Sequence, residues 1–266
     1  MKGVVPADET SISGRCVLIS GGGRGIGRAV AERFADAGAL VHIIARSGQV
    51  HQAAADMNFR GRKVWAYQGS VGDEDFCRAT VAHIEAAHGH VDILVNAAAV
   101  HGEFGPLVEL NMKAFSEALV TNVMGTCNLM RWTIPAMQKA GFGRVVNFAG
   151  GGAAYSYPLF SPYVASKVAI VRLTETIADE VKDLNVTINV ITPGSVKTEM
   201  QKEVIRRGAE IRTVTDISEP VELIVYLSTP EAKHIDGRFI HVRDDYRNPD
   251  LYRDENMLKL RRTERR

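Results

Sequence analysis

Cysteine is scarce in this 266-residue chain, with Cys16, Cys77 and Cys127 as the three thiols. They have neither metal-ligand nor redox spacing, and the odd count excludes a disulfide framework, so they read as reduced. Charge of one sign is also missing. Lys and Arg number 32 against 31 Asp and Glu, a net charge of +1, which leaves no field for nucleic acid. The basic cluster Arg261–Arg266 reads as a solvated tail. No apolar run reaches the length of a membrane span, and Met1–Thr10 has no apolar core of a signal peptide, so a cytoplasmic protein with no membrane partner is expected. Internal repeats, low-complexity tracts and Pro/Gly-rich linkers are absent, which predicts a single domain. His83, His88 and His90 fit no zinc spacing, and no metal is expected.

The composition, 45% hydrophobic and 24% charged, is that of an ordinary globule large enough for one well-buried core. Seven short apolar runs punctuate it: Cys16–Ser20, Val41–Ala45, Val64–Tyr67, Ile93–Val95, Val145–Phe148, Thr187–Ile191 and Phe239–Val242. Longer segments of helical periodicity separate them. Continuous apolar strands alternating with amphipathic helices predict an α/β fold, a doubly wound parallel sheet of seven strands covered on both faces. The domain is expected over residues 14–245, after an N-terminal extension of residues 1–13 and before a polar tail of residues 246–266.

The first run leads into Ser20-Gly21-Gly22-Gly23-Arg24-Gly25-Ile26-Gly27 and then into a helical pattern. Glycines at a strand-to-helix turn let the backbone approach a pyrophosphate, which the helix N-terminus attracts with unpaired N–H groups and a positive dipole end. At the end of the second strand, where an acid would bind the ribose 2′-hydroxyl of NAD, the chain has Ala45, Arg46 and Ser47. Arg46, flanked by Arg24, suits a 2′-phosphate, which favours NADP(H).

Tyr163 and Lys167 lie four residues apart, on one face of a helix. A phenol titrates near pH ~10, so acid–base work near neutrality requires ~4 kcal/mol of phenolate stabilisation. Lys167 is expected to supply part of it.

With the glycine loop, Val91-Asp-Ile-Leu-Val-Asn96-Ala-Ala-Ala99 and Tyr163-x-x-x-Lys167 together, the sequence resembles the short-chain dehydrogenase/reductase family over roughly residues 12–242. The resemblance implies a Rossmann-type domain, a homodimer or homotetramer, and hydride transfer between nicotinamide and a ketone or secondary alcohol. It assigns Tyr163 as general acid and Lys167 as its partner and ribose ligand. Asn122 would hold a water in the proton relay, and Asn96 would belong to the fourth-strand cofactor motif. Ser70 and Val71 would stand near the adenine, with Pro193, Gly194, Val196 and Thr198 around the carboxamide. Residues Glu199–Thr215 would form a charged lid. That lid and Asp244 and Asp245 of the tail suggest a polar cyclic or sugar-like substrate, with a 3-oxoacyl thioester as the competing class.

One position departs from the pattern. Thirteen residues before Tyr163 the family has a serine that donates to the substrate carbonyl, and this chain has Gly150, in Gly150-Gly151-Gly152. Ser156 or Ser161 replaces that hydroxyl, the glycines admit a backbone N–H, a water or a bulky substrate, or the chain is a catalytically silent NADP(H)-binding or regulatory protein. His101 reads as a surface or packing residue.

Overall fold

The computed structural model describes residues 9–207 and 213–261. Seven strands form one all-parallel sheet: β1 Cys16–Ser20, β2 Leu40–Ala45, β3 Lys63–Gln68, β4 Ile93–Asn96, β5 Gly143–Phe148, β6 Val186–Thr192 and β7 Phe239–His241. Their order, β3-β2-β1-β4-β5-β6-β7, reverses direction between β1 and β4. That switch point opens a crevice at the carboxyl ends of the strands, where ligands of such folds bind. Eight helices cover the sheet: α1 Gly25–Asp36, α2 Gln49–Asn58, α3 Glu74–His88, α4 Met112–Leu119, α5 Gly125–Ala140, α6 Ser161–Glu180, α7 Glu199–Arg206 and α8 Ser218–Leu227. A one-turn π-helical segment, Val120–Met124, joins α4 to α5.

β1, β4, β5 and β6 are buried along their whole length, as strands covered on both faces must be. Strand periodicity divides their side chains. Val17 and Ile19 join a core with Val30, Phe34, Leu223 and Ile224 of α1 and α8. Cys16 and Leu18 join a second core with Val81, Ile84, Leu129 and Met130 of α3 and α5. β3, an edge strand, buries Val64 and leaves its other residues exposed or half-buried. Helix ends follow local chemistry: Asp73 caps α3 by accepting from Phe76 N–H, while α5 ends at Gly141 in the left-handed region.

Ile12 is fully buried within the first core; residues 1–8 lie outside those described. The tail, through residue 261, folds back on its own chain. The buried Arg238 guanidinium donates to the carbonyls of Tyr252, Asp254, Glu255 and Met257, and Phe239 N–H at the edge of β7 donates to Leu258 O at 2.6 Å. Leu260 N–H and Arg261 both bond the buried Glu175 carboxylate, each at 2.7 Å. The anchors of this tail are main-chain carbonyls and aromatic contacts, which its polar composition conceals.

Candidate active site

The chain passes from β1 into α1 through backbone that only glycine supplies. Gly21 has φ +72°, and a Cβ there would meet Ala98 N at 2.9 Å; a Cβ at Gly27 would strike the Gly21 carbonyl. Arg24 stands at the N-cap of α1 in extended geometry with no side-chain cap bond, so the first N–H groups of this twelve-residue helix face the crevice uncapped.

A cavity of about 470 Å³ runs from this loop to the catalytic helix. Gly21, Gly23, Arg24, Gly25, Ile26, Gly27, Arg46, Ser47, Val71, Pro193 and Thr198 line it, and Tyr163 and Lys167 close its far end. The sequence therefore places most of the expected cofactor residues on one wall system. Arg24 and Arg46 are exposed at its rim and make no ion pair among the described residues. The cradle, the uncapped helix end and two unpaired guanidinium groups fit a dinucleotide with a phosphate at the Arg46 end.

Several expected residues do other work. Asn96 is buried inside the sheet, donating to Asn147 Oδ1 at 2.9 Å, while Asn147 donates to Thr174 on α6. It ties strands β4 and β5 rather than lining the cavity. Ser70 Oγ accepts from Gly72 N–H and shapes its own turn. Gly194, at φ +70°, and Val196, paired with Thr215 across a parallel bridge, set the loop that carries Pro193 and Thr198. Residues 208–212 of the expected lid lie outside those described.

α6 carries Tyr163 and Lys167 on one face as expected, with the ammonium 5.5 Å from the phenol ring centroid. Lys167 is 2% exposed and donates to Phe148 O at 2.8 Å. The expected lowering of the phenol pKa is absent. Burial, with the Tyr157 hydroxyl nearby, pushes Tyr163 up to about 12, and burial without a counter-ion pushes Lys167 down to about 7. Desolvation outweighs the ammonium because Lys167 is itself only partly charged near neutrality. A cationic group in the adjoining cavity opposes the shift of Tyr163 and adds to that of Lys167.

Asn122, in the π-helical turn and fully buried, spends its side chain on protein. Its Oδ1 accepts from Val100 N–H at 2.8 Å, and its Nδ2 donates to Val100 O at 2.9 Å and to Ser166 Oγ at 2.8 Å. Ser166 in turn donates to Tyr163 O. The side chain is thus a clamp between the loop after β4 and the catalytic helix, and any water it orders meets its main-chain carbonyl, which already accepts from Thr126.

Gly150 adjoins the reacting position: a Cβ built there would stand 2.7 Å from the Tyr163 hydroxyl. Neither expected substitute reaches it. Ser156 is exposed, and Ser161, two residues before Tyr163 on α6, is turned about 200° around the helix from it. Gly151 is exposed with open space about it. What surrounds the phenol is aromatic. His101 packs edge-to-face on Tyr163 at 5.0 Å, Phe160 packs on His101 and on Phe104, and Tyr157 stacks on Phe160 at 4.4 Å.

Beyond this wall a second cavity, of about 720 Å³, opens from the first. Glu103, Glu117, Glu199 and Glu203 line it together with Arg24, Arg46, Arg206, His101, Asn111 and Met200, so both signs of charge face it. Neither Asp244 nor Asp245 lines either cavity; Asp244 accepts from His241 N–H in its own turn. Sequence reasoning missed Glu103, Glu117 and His101 because nothing in their spacing ties them to Tyr163; only the crossing of α4, α6 and the β4 loop does.

The family model for short chain dehydrogenase matches residues 15–208. The curated protein "Dehydrogenase/reductase SDR family member 4" of Pongo abelii is 32% identical over 87% of each chain. The 2,5-dichloro-2,5-cyclohexadiene-1,4-diol dehydrogenase of Sphingobium indicum is 29% identical over 80% of this chain and 84% of its own. Among solved structures, levodione reductase superposes with a TM-score of 0.81 at 25% identity, over 86% of this chain and 96% of that one.

Proposed function

Because this chain belongs to the short-chain dehydrogenase/reductase family, we propose that it is an NADP(H)-dependent oxidoreductase reducing a ketone or oxidising the matching secondary alcohol. One observation carries the reading: a single cavity joins the glycine cradle and the unpaired Arg24 and Arg46 to Tyr163 and Lys167. When bound, the nicotinamide supplies the hydride. Tyr163 holds the proton for the carbonyl oxygen; Lys167, fixed by Phe148 O, faces the ribose position and biases the phenol. Asn122 keeps the β4 loop and α6 in register. Arg46 and Arg24 take the 2′-phosphate.

The carboxylates of the second cavity favour a polar, hydroxylated or amino-bearing cyclic substrate. The cyclic diol in the name of one relative, the dichlorocyclohexadienediol dehydrogenase, agrees with that choice. Self-association as a homodimer or homotetramer is supported by the exposed Met112, Val120 and Met124 along α4 and the π-helical turn; sedimentation velocity measures it.

NADPH oxidation over a panel of cyclic polyol ketones, amino sugars, steroids and 3-oxoacyl thioesters tests the reading. Turnover that disappears in Tyr163→Phe supports it. The silent-binder reading, which Gly150 motivates, gains if NADPH binds tightly and no member of the panel turns over.

A further inference from the structure

The oxidoreductase reading leaves one job unassigned, since the position facing the Tyr163 hydroxyl is Gly150 and carries no donor. A carbonyl oxygen gathering charge in a dry site needs a preorganised donor besides the acid that protonates it. The loop after β4 places one there. Val100 is held through both its N–H and its C=O by Asn122, at 2.8 and 2.9 Å. Two residues on, Gly102 has φ +73°, and a Cβ there would meet Ala118 at 2.9 Å and Pro162 at 3.0 Å, so the chain is wedged between α4 and α6. Between these two clamps stands His101.

The ring of His101 lies edge-to-face against Tyr163, with centroids 5.0 Å apart, and is steadied from the other side by Phe160 at 5.8 Å. It lines the cavity that continues from the cofactor cavity. Neither ring nitrogen has a hydrogen-bond partner among the described residues, and neither is sealed from the cavity. Burial lowers its pKa, with Arg207 and Lys167 acting the same way against Glu203, so the ring is neutral near pH 7 and offers one N–H donor and one acceptor.

We propose that His101 donates a hydrogen bond to the substrate carbonyl oxygen, in place of the hydroxyl that Gly150 lacks. Tyr163 then delivers its proton to that same oxygen as hydride reaches the carbon, and His101 neither gains nor loses a proton in the step. The role rests on the oxidoreductase reading. It also gives a purpose to the two bonds from the Asn122 side chain to Val100: the clamp fixes the donor.

The test uses the full chain, NADPH and phenanthrenequinone, a flat diketone suited to the Phe104, Tyr157 and Phe160 wall. His101→Phe is expected to lower kcat by about 100-fold, the usual cost of one oxyanion donor, with KM and NADPH affinity near the wild-type values. His101→Gln, which restores an N–H, recovers most of that loss. Wild-type kcat in His101→Phe, an equal loss in His101→Gln, or a matching loss in Tyr157→Phe in place of His101→Phe overturns the assignment. If the wild type turns over neither the quinone nor any member of the panel, or Tyr163→Phe works at the wild-type rate, the oxidoreductase reading fails and His101 falls with it. Inactive Tyr163→Phe beside fully active His101→Phe sinks the His101 role alone.

Discussion

Adding one methyl group at Gly150 probes the centre of the site. Gly150 lies in extended backbone, φ −168° and ψ 170°, which any residue adopts, so Gly150→Ala introduces no backbone strain. Its Cβ arrives 2.7 Å from Tyr163 Oη, 3.2 Å from Cε1 and 3.3 Å from Cζ, where ordinary contact begins at 3.4 Å. The shortfall, 3.4 − 2.7 = 0.7 Å, falls on the tip of a ring that can swing, so the phenol moves and the fold does not. Misplacing a reacting group by 1 Å costs about 100-fold in rate, so a displacement near 0.7 Å costs roughly 30-fold in kcat. Gly150 is buried, so the added methyl also costs about 1–3 kcal/mol of stability through overpacking. Steady-state NADPH oxidation with the substrate found in the panel, paired with thermal unfolding, reads both numbers. Wild-type kcat in Gly150→Ala at unchanged Tm would refute the placement of the Tyr163 hydroxyl as the proton donor.

Arg46→Asp removes a guanidinium from the 2′-phosphate position and adds a like charge; at about 1.5–3 kcal/mol for a charge-assisted bond, NADPH affinity falls by roughly 10- to 100-fold while NADH affinity holds or rises. Unchanged NADPH affinity by titration calorimetry rejects the role of Arg46. Buried His42, stacked on Trp65 and bonded to Tyr67, has its pKa lowered to about 3 by burial first and by His88 and His83 next. The unfolded chain takes up that proton below pH ~6.5 and the folded one does not, so the stability is whole above 6.5 and drains as pH falls toward 3, at ~1.4 kcal/mol per unit. Urea unfolding at pH 6 and pH 4 should show that slope in wild type and lose it in His42→Phe; equal slopes remove the assignment. Arg238→Ala strips four carbonyls of their donor and should lower stability by about 2–4 kcal/mol and open the tail to proteolysis, with kcat little altered. A tail that resists protease as before would show that Arg238 does not hold it.

The sheet was legible because its strands are continuous apolar runs: Cys16–Ser20 is identical in sequence expectation and structure, and the other six differ at their ends by one or two residues. The glycine loop and the Tyr163 and Lys167 pair were legible because each is local, one a turn and one a helix face. Asn122 and Asn96 were found as positions but their partners were not, since a buried amide is defined by residues such as Val100 and Asn147 that lie far away in sequence. The sign of the Tyr163 shift was missed for a related reason. Spacing reveals which charge stands near a phenol, whereas burial, which dominates here, is a property of the whole packed site.

The seam between the tail and β7 bears on the order in which the protein is made. β7 is the last strand of the sheet, and its outward N–H at Phe239 finds its acceptor in Leu258, a residue synthesised later. At about 5–20 residues per second, the twenty residues from His241 to Arg261 take roughly 1–4 s to emerge. Through that interval a folded sheet presents an open edge, the template on which strands from other nascent chains can add. A ribosome that stops shortly after β7 would release a molecule with its glycine cradle and Tyr163 in place and its sheet unsealed, and the harm would appear first as association between chains.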